Sequence, residues 1–164
     1  ITGSNIRKGP SMTVLIKESP RFLGTDKKMV RKITENLLTF LKLQDRDLSI
    51  LFVNNKKIRE LNKQFFYKDK PTNVISFSYM DGLSSEIMGD IVISVEIARE
   101  EAESLSIPFY ERLFALIVHG IVHILGYDHV NDRNEARRMR YREKKLLTFV
   151  TANPLYRQLI GSSV

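Results

Sequence analysis

The 164-residue chain contains no cysteine. That excludes a disulfide-built scaffold and a cysteine-closed structural zinc site, and it fits a reducing compartment. Long apolar runs are missing as well. The stretch from Leu113 to Val118 falls far short of the roughly 20 apolar residues that a membrane-spanning helix needs. The first residues show no cationic segment followed by a long apolar one, so no secretory signal is expected, and the cytoplasm is the expected location. Histidine is scarce too. The only three, His119, His123 and His129, all fall in one short window.

What is present suits a single soluble domain. With 43% apolar and 27% charged residues, a chain of this length can bury a core without disulfides. The formal net charge of +7 is compatible with a polyanionic partner, and equally with a basic surface that serves only solubility. Residues 1–11 mix small, polar and breaker types and read as a loose tail, with Met12 as the expected natural start. The domain is expected over residues 12–152, and residues 153–164 are expected to form a C-terminal tail, with Asn153-Pro154 ending the fold.

Hydrophobic periodicity divides the domain into elements. Thr13 to Lys17 is a short apolar run, read as a strand. Thr25 is the expected N-cap of a helix whose stripe is Val30, Ile33, Leu37, Phe40 and Leu41. Asp47 to Val53 reads as a buried strand, and Ile58, Leu61 and Phe65 as one face of a short helix after Asn54-Asn55. Val74 to Tyr79 and Gly89 to Ser94 read as two strands that pair antiparallel, with Asp90 a turn residue at the mouth of the second. Helices are expected from Val95, from Phe109 to about Leu125, and from Asn131 or Asp132 to about Val150. The last of these carries a basic face that includes Arg133, Arg137, Arg140 and Lys144, either solvated or holding a phosphate backbone. The fold class is therefore α+β: a small mixed β-sheet of about four strands, covered by helices, with a central buried helix carrying the histidines. The first β-α-β should be a right-handed crossover between parallel strands.

His119 and His123 stand four apart on that helix, so both rings can reach one ion. Gly126 supplies the left-handed residue that ends a helix, and the returning chain presents His129 as a third nitrogen. Three imidazoles suit a catalytic zinc with an open fourth position, one Zn2+ per chain. The spacing is that of the extended metalloprotease signature, except that Gly120 stands where that signature has its general-base glutamate. The metal cradle survives this change. The peptidase mechanism loses its principal acid/base group.

Three separated motifs, Lys68-Asp69-Lys70-Pro71-Thr72-Asn73-Val74-Ile75-Ser76-Phe77, Gly89-Asp90-Ile91-Val92-Ile93-Ser94 and His119 to His129, together resemble the YbeY family of bacterial endoribonucleases over roughly residues 44–150. The resemblance implies a zinc-dependent, single-strand-specific RNA hydrolase. Its partner would be ribosomal RNA of the small ribosomal subunit, with processing at that RNA's 3′ end, and His119, His123 and His129 would be the metal ligands. Family members commonly have an arginine, in a Y-R-G-K-D context, where this chain has Phe66. A phenylalanine cannot grip a phosphate, which leaves Lys68 and Lys70 as the nearest substrate-binding cations. No side chain is assigned as general base, and Asp128 reads as a turn residue or a support for a ligand rather than as that base. The alternatives from other classes are a metalloprotease-like hydrolase and a non-catalytic RNA-binding ribosome-assembly factor with a vestigial zinc site. Oligomeric state is not legible.

Overall fold

A computed structural model describes residues 13–21, 23–80, 86–126 and 133–161. Four strands and six helices are found among them. In chain order they are β1 (Val14–Ser19), α1 (Lys27–Phe40), β2 (Asp47–Val53), α2 (Asn55–Phe66), β3 (Val74–Ser78), β4 (Ile87–Ser94), α3 (Val95–Leu105), α4 (Phe109–Ile124), α5 (Arg133–Ala152) and α6 (Pro154–Gly161). No single helix among the described residues is long and apolar enough to cross a membrane. The fold is α+β with a mixed sheet of order β1-β2-β4-β3. β1, β2 and β4 run parallel, and β3 pairs antiparallel with β4 as the edge strand.

Alternation along the strands separates two cores. On one face Leu48, Ile50, Phe52, Ile91 and Ile93 pack with Val30, Ile33 and Leu37 of α1 and with Leu113, Ile117 and Ile121 of α4. On the other, Val53, Ile75 and Val92 meet Ile58 of α2 in a smaller cluster. The helix α4 is apolar on most sides because it lies against the sheet and also beneath α3 and α5.

Two glycines set how closely α4 approaches β4. A Cβ at Gly120 would lie 2.8 Å from Cδ1 of Ile91, and one at Gly89 would lie 2.8 Å from Cδ1 of Ile124 and against the Phe77 carbonyl oxygen. Helix glycine over strand isoleucine and strand glycine under helix isoleucine interlock the two elements. Ser78 then donates from Oγ to the Ile124 carbonyl at 2.9 Å and ties the end of β3 to the same helix terminus.

Three expectations are corrected. The N-cap of α1 is Asp26, whose carboxylate accepts from the Met29 amide at 3.2 Å, while Thr25 turns back to donate to Glu18. An ionised carboxylate one residue closer to the helix satisfies the orphan amide better than the hydroxyl. Asp90 is no turn residue: it lies inside β4, paired in register with Phe77. Residues 154–161 of the expected C-terminal tail form α6, which buries Tyr156 and Leu159. The Asn153-Pro154 pair was the misleading signal, because asparagine can cap and proline is favoured at a helix's first position. Asn153 Oδ1 accepts from the Leu155 amide at 2.9 Å, so the pair starts a helix rather than ending the fold.

Tyr156 packs edge-on against Phe114, and its hydroxyl is buried with no hydrogen-bond partner among the described residues. Burial, with a smaller contribution from Glu111, pushes its pKa up to about 12. The folded state thus keeps a proton that the unfolded chain releases near pH 10, and this contribution to stability is present below pH 10 and lost as pH rises through about 12. Tyr156→Phe is expected to leave stability at pH 7 unchanged or raise it by up to about 1 kcal/mol. It should also flatten the alkaline decline. Urea denaturation at pH 7 and above pH 10 checks both, and a clear loss of stability at pH 7 would show that the hydroxyl has a partner.

Candidate functional site

At the β3 edge of the sheet lies a cleft of about 420 Å3, lined by α4 through His119 and His123, by β3 through Ser76 and Ser78, and by Phe66, Lys68 and Thr72. The two rings stand one helical turn apart, with centroids separated by 4.3 Å and planes at 60°. Gly126 follows the helix at φ +91° and donates its amide to the His123 carbonyl at 2.9 Å, the left-handed exit expected from the sequence. His129, with Tyr127 and Asp128, lies outside the described residues. Among the described residues, no three metal-ligating side chains converge. The pair His119 and His123 is what α4 itself brings together.

Glu143 of α5 supplies a partner that local sequence reading missed. Its Oε1 stands 2.5 Å from Nδ1 of His119, with side chains 26% and 39% exposed respectively, so the contact is partly shielded from water. A carboxylate accepts but does not donate, so in the neutral ring Nδ1 carries the proton and Nε2 keeps its lone pair for an ion or a donor in the cleft. In sequence, Glu143 is 24 residues from His119 and looks like a counter-charge within a basic helix. Only the packing of α5 on α4 reveals the pair.

The loop after α2 carries the cations. Tyr67 ends the helix in the left-handed region at φ +58° and projects into solvent, 91% exposed. A glycine would adopt this conformation without the cost of a Cβ, which Tyr67 bears. Asn62, itself buried, donates from Nδ2 to the Lys70 carbonyl at 2.9 Å. Arg59 bonds Asp69 at 2.8 Å, and this hydrogen bond holds the carboxyl below the usual carboxylate range. These anchors bring Lys68 to the cleft. Lys70 is exposed and is not among the residues that line it. Phe66 lines the cleft, is 44% exposed, and stacks on Phe77 with ring centroids 6.0 Å apart. Asp90 accepts from Tyr79 at 2.7 Å, which raises the phenol's pKa, and lines a separate apolar recess instead of the histidine cleft.

The profile described as Endoribonuclease YbeY matches residues 18–151, most of the chain. The chain belongs to this family. Among proteins bearing the name endoribonuclease YbeY, one from Syntrophus aciditrophicus is 35% identical over 150 residues, which is 88% of this chain and 94% of the relative. One from Aquifex aeolicus is 40% identical over 136 residues, 82% and 89% of the two chains. The solution structure of TM1509 from Thermotoga maritima is similar at a TM-score of 0.63 and 28% identity, covering 87% of this chain and 95% of that one. For this YbeY-family chain, the Glu143 contact predicts that His119 is protonated at Nδ1 when neutral. Nitrogen-15 shifts of the ring measure the tautomer, and Glu143→Ala should return it to a mixed population. An unchanged spectrum would mean that the carboxylate does not set the ring.

Proposed function

We propose that this chain is a zinc-dependent, single-strand-specific endoribonuclease acting in ribosomal RNA processing, at the 3′ end of small-subunit RNA. The observation that carries the reading is the cleft itself, two imidazoles on one helix face beside a lysine, in a family whose members are named endoribonucleases. The net charge of +7 supports a polyanionic substrate, and the absence of cysteine suits work in the reducing cytoplasm.

The donor chemistry fits zinc. His119 offers Nε2 and His123 stands one turn on; with His129, the chain's third histidine, the donor set would be three nitrogens with no thiolate. These three residues would hold the ion. Bound there, zinc supplies Lewis acidity toward a phosphodiester and makes a water acidic near neutral pH. Glu143 holds the Nδ1 proton of His119 and fixes the ring's orientation. Lys68 puts a positive charge where a phosphate would enter the cleft, and Phe66 offers an apolar ring face to a base. No described side chain stands as general base.

The peptidase alternative is disfavoured by packing as well as by composition. At Gly120, where a metalloprotease has its glutamate, the space a side chain would need is filled by Ile91. The side of the helix that position 120 occupies faces the sheet rather than the cleft.

Purified protein is expected to hold about one zinc per chain and to lose it in His123→Ala, since two imidazoles seldom retain the ion. Loaded protein should cut a single-stranded oligoribonucleotide, less so as salt rises. Full zinc occupancy in the variant would overturn the ligand set. Cleavage of casein with RNA left intact would favour the peptidase, and tight RNA binding without turnover at any metal loading would favour an assembly factor. Because Lys68 already supplies a cation, Phe66→Arg is expected to change kcat/KM by less than about tenfold, while Lys68→Ala should lower it by about tenfold or more. A large gain on restoring arginine would show that the native cleft lacks a needed charge.

A further inference from the structure

His119 belongs to two cavities. Besides the histidine cleft, it lines a cavity of about 410 Å3 between α4 and α5, whose walls include Arg112, Arg140, Lys144 and Asn73. Three cations face this space. The one carboxylate among its lining residues, Glu143, is already engaged by His119. Arg112 is held by Glu101, which accepts from its Nε at 3.0 Å and also from the Asn73 amide, so this guanidinium is fixed in place. Arg140 and Lys144 differ. Four residues apart, they share one helix face, both are exposed, and neither forms an ion pair among the described residues. Like charges one turn apart repel, and an anion seated between them would relieve that repulsion.

We infer that the cavity between α4 and α5 is a second phosphate subsite, in which Arg140 and Lys144 bind the backbone of the same RNA strand at a linkage away from the one cut beside His119 and His123. The inference rests on the endoribonuclease reading for the identity of the strand. Its geometry is independent of that reading: a shared wall, His119, joins a cleft with a lysine to a cavity with three cations, so one extended polyanion can occupy both. A polyphosphodiester suits this arrangement better than an isolated anion, because the two cavities share His119 as a lining residue and both carry positive charge. The further strand anchors substrate without touching the reacting atoms. Its loss should therefore appear in KM rather than in kcat.

The test uses the full-length protein, a fluorescent single-stranded oligoribonucleotide with a mapped cut site, and two double variants. Arg140→Gln with Lys144→Gln empties the cavity of its unpaired cations. Lys28→Gln with Lys32→Gln removes the same charge from exposed positions one turn apart on α1 that line neither cavity. In the cavity variant KM should rise about tenfold with kcat within about twofold, and the slope of log affinity against log salt should fall by about 1.4, the value for two lost contacts to a single strand. The control variant should show much smaller changes. Oligonucleotides with one neutral methylphosphonate at successive linkages should lose affinity for the native protein at a particular distance from the cut, and that loss should vanish in the cavity variant. Equal effects of the two variants, or methylphosphonate sensitivity that persists in the cavity variant, would overturn the subsite while RNA cleavage stands. Binding that weakens only in the cavity variant, with no cleavage by the native protein at any metal loading, would keep the subsite and overturn the endoribonuclease reading. Absence of RNA binding would overturn both.

Discussion

The interlocked contact between α4 and β4 is the constraint on which the site depends. A glycine inside a helix costs about 0.5–1 kcal/mol relative to alanine, yet Gly120 lies within the C-terminal half of α4, where Ile91 occupies the space its side chain would take. Gly89 does the same in the reverse sense beneath Ile124. Close approach at both points fixes the rotation of α4 about its axis, and that rotation decides which residues face the sheet and which face the β3 edge. His119 and His123 fall on the edge-facing side. A helix rolled by one residue position would bury an imidazole in the apolar core, where no partner waits for it.

This constraint also explains why a familiar metal-ligand spacing carries different chemistry. In a peptidase the glutamate after the first histidine must reach the water that the metal activates, and here that direction is occupied by the sheet. The ring spacing survives because it is a property of any α-helix. The acid/base group does not, because it depends on what the helix packs against. Support for His119 comes instead from the neighbouring helix, where Glu143 accepts a hydrogen bond from the Nδ1–H.

The legible parts of the sequence were those written in local periodicity. The strand Asp47–Val53, the antiparallel pairing of β3 with β4, the histidine helix and its Gly126 exit all follow from apolar alternation, helical spacing or a single special residue. What stayed hidden depends on long-range contact. Glu143 is an acidic residue in a basic helix until α5 is laid on α4, and Asp90 looks like a turn residue until β4 is seen to continue to Ile87 with Tyr79 hydrogen-bonded across it. The helix α6 was missed for a different reason. Asn-Pro can stop one helix or start another, and the choice is made by whether Tyr156 and Leu159 find a core to enter. Lys68 and Lys70, equivalent in the sequence, are separated by the loop's anchors: the Asn62 amide holds the Lys70 carbonyl, and only Lys68 lines the cleft.

Phe66 shows how one substitution can change the manner of binding without dismantling a site. An arginine at this position would add a charge to the cleft. The phenylalanine instead extends a stack through Phe77 and leaves part of its ring open to the space beside the histidines. Aromatic faces bind bases that are free of a duplex, because a paired base has both faces already stacked. A cleft with a ring where a guanidinium could stand would, on the proposed reading, give up some hold on the backbone and gain some on the unpaired base. The charge it lacks is present next door, in the three cations between α4 and α5. On the proposed reading, backbone attraction and base contact would be divided between two cavities that share His119, and a strand would have to be both extended and unpaired to use them together.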